Sequence, residues 1–168
     1  STNGSSIDPT RLVVDGCHIE NAWDHGVYAA SAQDSIITNC TIKTSAGTGV
    51  KVRGSQNRVI GNHVSATLVG ITISGAGASP DAYSATSHGS IVANNTIEQT
   101  GRDGLILDTI NTYTARHTLI TGNYFRNIAT EGAGYAAIRA DGNYYQIRNN
   151  IFENCDGTTA AVIAGGTA

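Results

Sequence analysis

The chain has 168 residues with 10 Lys and Arg against 13 Asp and Glu, a net charge of −3, and it lacks the basic stripe that a phosphate backbone requires. Nucleic acid is therefore not an expected partner, and no apolar run reaches the ~20 residues that span a bilayer, so no membrane partner is expected either. The three cysteines lack the close spacing of a zinc knuckle, and an odd number cannot all pair internally. With 14% charged residues, 20 glycines, no methionine and an abundance of Asn, Thr, Ser, Ile and Val, the composition is that of one β-rich domain.

In chain order, one six-residue pattern recurs: apolar, any, Asn or Gly, Asn or Cys, any, apolar. It occupies residues 14–19, 37–42, 59–64, 92–97, 120–125 and 147–152, at start-to-start spacings of 23, 22, 33, 28 and 27. The third position reads Gly16, Asn39, Gly61, Asn94, Gly122, Asn149, the residue types that enter left-handed backbone most readily, so a tight bend is expected there. The fourth position reads Cys17, Cys40, Asn62, Asn95, Asn123, Asn150. Stacked in a column, such amides satisfy turn backbone and one another, forming an asparagine ladder with two cysteines at one end. Cys17 and Cys40 would lie one coil apart, within disulfide reach or as a stacked pair of thiols.

A second short strand follows each of the first five hexads: 26–29, 49–52, 70–73, 104–107 and 137–140, the first four opened by glycine. Period-two alternation points Val27, Val50, Ile71, Leu105 and Ile138 inward. A coil of 22 or 23 residues cannot close a core alone and must stack on copies of itself. The expected fold is all-β, a single-stranded right-handed parallel β-helix of about six coils, roughly 30 Å long at strand spacing. No segment holds a 3.6-residue apolar period for three turns, and a β-sandwich, the runner-up, does not need an Asn column in register.

On these hexads and glycine-led strands, the chain resembles the pectate-lyase-like right-handed parallel β-helix superfamily, which includes polysaccharide lyases and phage tailspikes. The resemblance implies that the glycine-led strands form the first sheet, that its outer face binds polysaccharide, and that the protein is extracellular or virion-associated. It does not imply one activity, because the same scaffold carries lyases, hydrolases, epimerases and non-catalytic stalks. The chain shows no capping helix and ends on Ala-Gly-Gly-Thr-Ala, so residues 1–168 are expected to be one domain of a larger chain or assembly, such as a homotrimer of the tailspike kind.

Extra residues enter at 74–88, 108–116 and 128–135, clustered around coils three to five, where a solenoid places variable functional loops. The outward column of the first sheet reads Tyr28, Lys51, Thr72, Ile106, Arg139; two residues on it reads Ala30, Arg53, Ser74, Asp108, Asp141; just before the strand it reads His25, Thr48, Val69, Asp103. Asp108 and Asp141, on adjacent coils, are the catalytic candidates, with Asp103 in the pre-strand turn as a third. Carboxylates at ~5 Å suit retaining glycoside hydrolysis, wider pairs suit inversion, and like charges so close favour one proton-carrying acid; the same residue type also commonly caps turns. His25, Tyr28, Lys51, Arg53, Arg102, Arg139, Tyr113 and Tyr135 are the substrate-binding candidates. Cations that hold a uronate and an acid or base from His25 or Tyr28 would serve β-elimination. Sparse carboxylates argue against a calcium-dependent lyase, so neither metal nor cofactor is expected. Trp23, Tyr83, Tyr144 and Tyr145 are further rings suited to sugar stacking. The expected function is polysaccharide binding with glycan cleavage; the alternative is a non-catalytic structural or adhesion stalk. Ice binding fails, because the outward columns do not repeat Thr.

Overall fold

The computed structural model describes residues 11–30, 32–75, 87–110, 113–155 and 158–165. Coil one comprises β1 (Val13–Asp15), β2 (His18–Glu20) and β3 (Val27–Ala29); coil two β4 (Ile36–Thr38), β5 (Thr41–Lys43) and β6 (Thr48–Arg53); coil three β7 (Arg58–Ile60), β8 (His63–Ser65) and β9 (Val69–Ser74). A short β10 (Ser87–His88) precedes coil four, β11 (Ile91–Ala93), β12 (Thr96–Glu98) and β13 (Leu105–Ile110). Then β14 (Tyr113–Arg116) leads to coil five, β15 (Leu119–Thr121), β16 (Tyr124–Arg126) and β17 (Tyr135–Ala140), and to coil six, β18 (Gln146–Arg148), β19 (Ile151–Glu153) and β20 (Thr158–Ala164).

Each coil gives one strand to each of three parallel sheets, so residues about one coil apart become neighbours. Val14, Ile37, Val59, Val92, Ile120 and Ile147 are successive register partners in the second sheet. Ile19, Ile42, Val64, Ile97, Phe125 and Phe152 do the same in the third, ending in stacked Phe rings 5.3 Å apart. Val27, Val50, Ile71, Leu105, Ile138 and Val162 line the first. The columns meet on the axis as one continuous core, and each fully buried aliphatic side chain contributes about 1.5–3 kcal/mol.

The bend between second and third sheets carries the ladder. Asn95 Oδ1 accepts from the Asn62 backbone N–H (2.9 Å) and from Asn62 Nδ2 (3.0 Å), while its own Nδ2 donates to Val59 O and Asn123 Oδ1 (2.9 Å each). Asn123 and Asn150 repeat the pattern, and Asn62 Oδ1 receives the Cys40 N–H at the cysteine end. Cys17 and Cys40 are free thiols; Cys40 is buried, and burial pushes its pKa up. Residues 16, 39, 61, 94, 122 and 149 all have positive φ, as the Gly/Asn column requires.

Two further corners use the same device without its sequence signature. After the third sheet, Asn21, Thr44, Ala66, Gln99, Asn127 and Asn154 are left-handed; after the first, Arg11, Asp34, Gln56, Gly89, His117 and Tyr144 are. Such a conformation costs an L-residue about 1–2 kcal/mol, so inter-coil hydrogen bonds hold most of these positions against local preference. At the third corner Asn57 acts as a ladder residue of its own, accepting from Ser35 N–H and donating to Ala32 O.

Insert 108–116 departs from a plain loop, whereas most of insert 74–88 lies outside the described residues. Residues 108–110 and 113–116 extend the first sheet: β13 runs on to Ile110 and forms an antiparallel pair with β14, which pairs in parallel with β10. Coil six also supplies a first-sheet strand, β20, which pairs with β17 and has Ala161, not glycine, before its inward Val162. The glycine of the earlier coils answers a close approach. A Cβ on Gly70 would run into the Gly104 carbonyl and Ile97 Cγ2 of the next coil. Gly70→Ala is expected to lower unfolding free energy by about 1–3 kcal/mol in a urea titration, the usual cost of overpacking a filled core.

Candidate functional site

The outer face of the first sheet divides into a basic half and an acidic half. On coils one to three, alternation along β3, β6 and β9 turns Tyr28, Lys51 and Arg53 outward while Val27, Val50 and Val52 fill the core. Tyr28 is 47% exposed, and its ring is approached by Lys51 Nζ at 5.8 Å, by the Arg53 guanidinium carbon at 5.5 Å and by the His25 ring at 5.3 Å. Cations over an aromatic face gain electrostatically from the ring quadrupole. The Thr48 N–H donates to His25 Nδ1 (3.1 Å), so the proton of a neutral imidazole sits on Nε2. Burial first, then Lys51 and more weakly Arg53, lower the His25 pKa from its ordinary 6.5, against an opposing pull from Asp24 at 3.4 Å. Four sequence candidates, His25, Tyr28, Lys51 and Arg53, thus form one cluster. It holds an imidazole kept uncharged beside two cations.

The next residue in that column was not among the sequence candidates. Ser74 pairs in register with Arg53 and, one residue after the inward Ile71–Ile73 pair, lies on the outer face; it is nevertheless 0% exposed. Its Oγ and the Arg53 Nε are both buried without a hydrogen-bond partner. Each such desolvated polar group carries a penalty of about 1–3 kcal/mol until something bonds to it.

On coils four and five the column continues through Asp108, register partner of Ser74, to Asp141, whose N–H bonds the Leu107 carbonyl at 3.0 Å. The two aspartates therefore occupy equivalent positions on adjacent coils. Asp141 leans towards coil six: a Cβ on Gly165 would stand 2.6 Å from its Oδ1. Asp103 is placed differently. It is 3% exposed, and its Oδ1 accepts from the Ala136 N–H (2.8 Å) and Arg139 Nε (3.1 Å), so its carboxylate holds the Arg139 side chain in place. Arg139 also donates to the Gly134 carbonyl. Arg102 lies 5.6 Å from the Tyr135 ring and forms an ion pair with Glu131 at 3.4 Å, joining insert 128–135 to the turn before β13. Tyr113 belongs to β14, but its side chain lies outside the described residues, as does Tyr83 altogether.

The remaining rings sit on the corners. Trp23 is 94% exposed beside a groove of about 590 Å³ that Thr44, Gln99 and Glu131 also line. Tyr144 stacks on His117 (5.2 Å), which stacks on His88 (6.0 Å), along the corner next to Asp141. A polar network on the third sheet also escaped the sequence: His63 Nε2 at 2.8 Å and Arg126 both engage Glu98. Burial alone would raise the Glu98 pKa, but the His63 and Arg126 hydrogen bonds outweigh it and hold the carboxyl below its usual range. No group of three or more His, Cys, Asp or Glu side chains suited to a metal exists among the described residues, and they contain no helix long and apolar enough to cross a membrane.

A family model described as a right handed beta helix region matches residues 6–86, the segment that holds coils one to three. Coils four to six continue the same three sheets in register. The fold is that of a right-handed parallel β-helix. No curated protein and no solved structure matches the chain. A β-helix region of this kind points to a polysaccharide-associated or a structural module.

Proposed function

We propose that this β-helix binds a polysaccharide along the outer face of its first sheet and cleaves it there, as a glycoside hydrolase or a polysaccharide lyase. The observation that carries the reading is the convergence of Lys51, Arg53 and His25 on the exposed Tyr28 ring. A stalk needs no such cluster, since gathering cations on one face costs repulsion without adding core. Saccharide binding uses an aromatic face for the apolar side of a ring and charged or hydrogen-bonding groups for its substituents.

Two chemistries fit the halves of this face. Asp108 and Asp141 supply a carboxyl pair for hydrolysis, with Asp103 holding Arg139 beside them. For β-elimination, Lys51 and Arg53 would hold the uronate, and neutral His25 would take the proton. Incubation with a panel of bacterial and plant polysaccharides separates them, through new reducing ends for hydrolysis or ultraviolet-absorbing unsaturated uronates for elimination. Release of either product supports the reading. Neither binding nor cleavage of any panel member would leave the stalk.

A further inference from the structure

We propose, resting on the first-sheet reading above, that Arg53, Ser74 and Lys51 form an oxyanion pocket that takes a carboxylate or a sulfate ester carried on a sugar. Among the described residues four buried side-chain atoms lack a hydrogen-bond partner, and two of them, Arg53 Nε and Ser74 Oγ, are register partners on the outer face of one sheet. Strands in register lie ~4.8 Å apart, so both donors can reach a single group placed between coils two and three. Lys51, two residues before Arg53 in β6, faces outward in the same direction. No ion pair among the described residues engages Lys51 or Arg53.

The electrostatics select the ligand class. Two unpaired cations beside one ring repel each other and also disfavour a charge on His25, opposed only by the exposed Asp24. A neutral hydroxyl would accept these hydrogen bonds but leave that repulsion in place. An oxyanion neutralises it, and the planar guanidinium fork matches the two oxygens of a carboxylate or sulfate. Tyr28, held against both cations, offers its exposed face to the sugar that carries the anion.

The side-chain Nε–H of an arginine gives its own signal in a nitrogen–proton correlation spectrum, so the pocket can be probed without knowing the glycan. Titration of the full chain with glucuronate and with inorganic sulfate is expected to shift the Arg53 Nε–H signal saturably. Methyl glucoside, the neutral control, is expected to leave it in place. Whichever anion binds more tightly identifies the source of the oxyanion. Ser74→Ala and Lys51→Gln are each expected to weaken that binding by about tenfold or more, the weight of a lost charge-assisted hydrogen bond. Lys51→Gln serves as the second variant because its side chain is not enclosed. No shift with either anion, or an equal shift with the glucoside, would overturn the pocket. A shift confined to the anions, together with no polysaccharide binding on the panel, would keep the pocket and remove the glycan reading.

Discussion

Replacing Asn95 by alanine is expected to destabilise the protein by about 3 kcal/mol, read as a lower urea midpoint with an unchanged slope. The side chain makes four hydrogen bonds inside the bend. Removing it does not orphan every partner. Asn62 Nδ2 keeps the Ile37 carbonyl, and Asn123 Oδ1 keeps the Asn95 backbone N–H. The Asn62 backbone N–H, however, is left buried with no acceptor, and the Val59 carbonyl loses a donor. One orphaned buried donor costs about 1–3 kcal/mol, and the lost bonds and small cavity add to it. Asn150→Ala makes the internal control: its Nδ2 bonds Ile120 O and its Oδ1 serves Asn123, but the residue is only half-buried, so water can replace part of the loss. Equal costs for the two substitutions would mean that burial does not set the strength of the ladder.

The ladder was legible because its bend admits few residue types. Gly and Asn at positions 16, 39, 61, 94, 122 and 149 advertise left-handed backbone, and on the last four of these bends an amide in the next position advertises what bonds it. The other two corners were not, because Thr44, Ala66, Gln56 and His117 carry no such preference and are held by neighbours one coil away. Thr44 donates its N–H to Ser65 O and Gln56 to His88 O, contacts that exist only after stacking. The same distinction governs the site. Register was written in the period of the coil, so the column Arg53, Ser74, Asp108, Asp141 could be ordered from spacing. Burial across that column was not. Asp103 looks like a turn residue in the sequence, but insert 128–135 follows the turn before β13, where Ala129, Thr130 and Glu131 donate to Arg102, Thr100 and Gly101, and closes over it. Insert 108–116 looks like a loop, but Thr109 and Ile110 pair with Thr114 and Tyr113, β-favouring residues on both arms.

On the polysaccharide that the panel identifies, Asp108→Asn and Asp141→Asn are each expected to lower kcat by about 10²–10⁴, the range of general acid–base catalysis, while unfolding midpoints stay near that of the parent. Asparagine keeps the shape and hydrogen-bonding reach of aspartate but neither ionises nor carries a transferable proton, so it separates chemistry from packing. The two positions share one column on adjacent coils, where strand spacing alone would set the carboxyls ~5 Å apart. A retaining pair holds its carboxyls ~5–5.5 Å apart, whereas an inverting pair stands ~6.5–9.5 Å apart to admit a water. If one carboxyl protonates the leaving oxygen and the other activates water, losing either disables the pair. The double variant should then be hardly slower than the slower single one, a non-additivity that independent binding residues do not show. Additive losses confined to KM would assign both aspartates to binding. Full turnover in the double variant would remove hydrolysis from this face and leave Lys51, Arg53 and His25 as its chemistry.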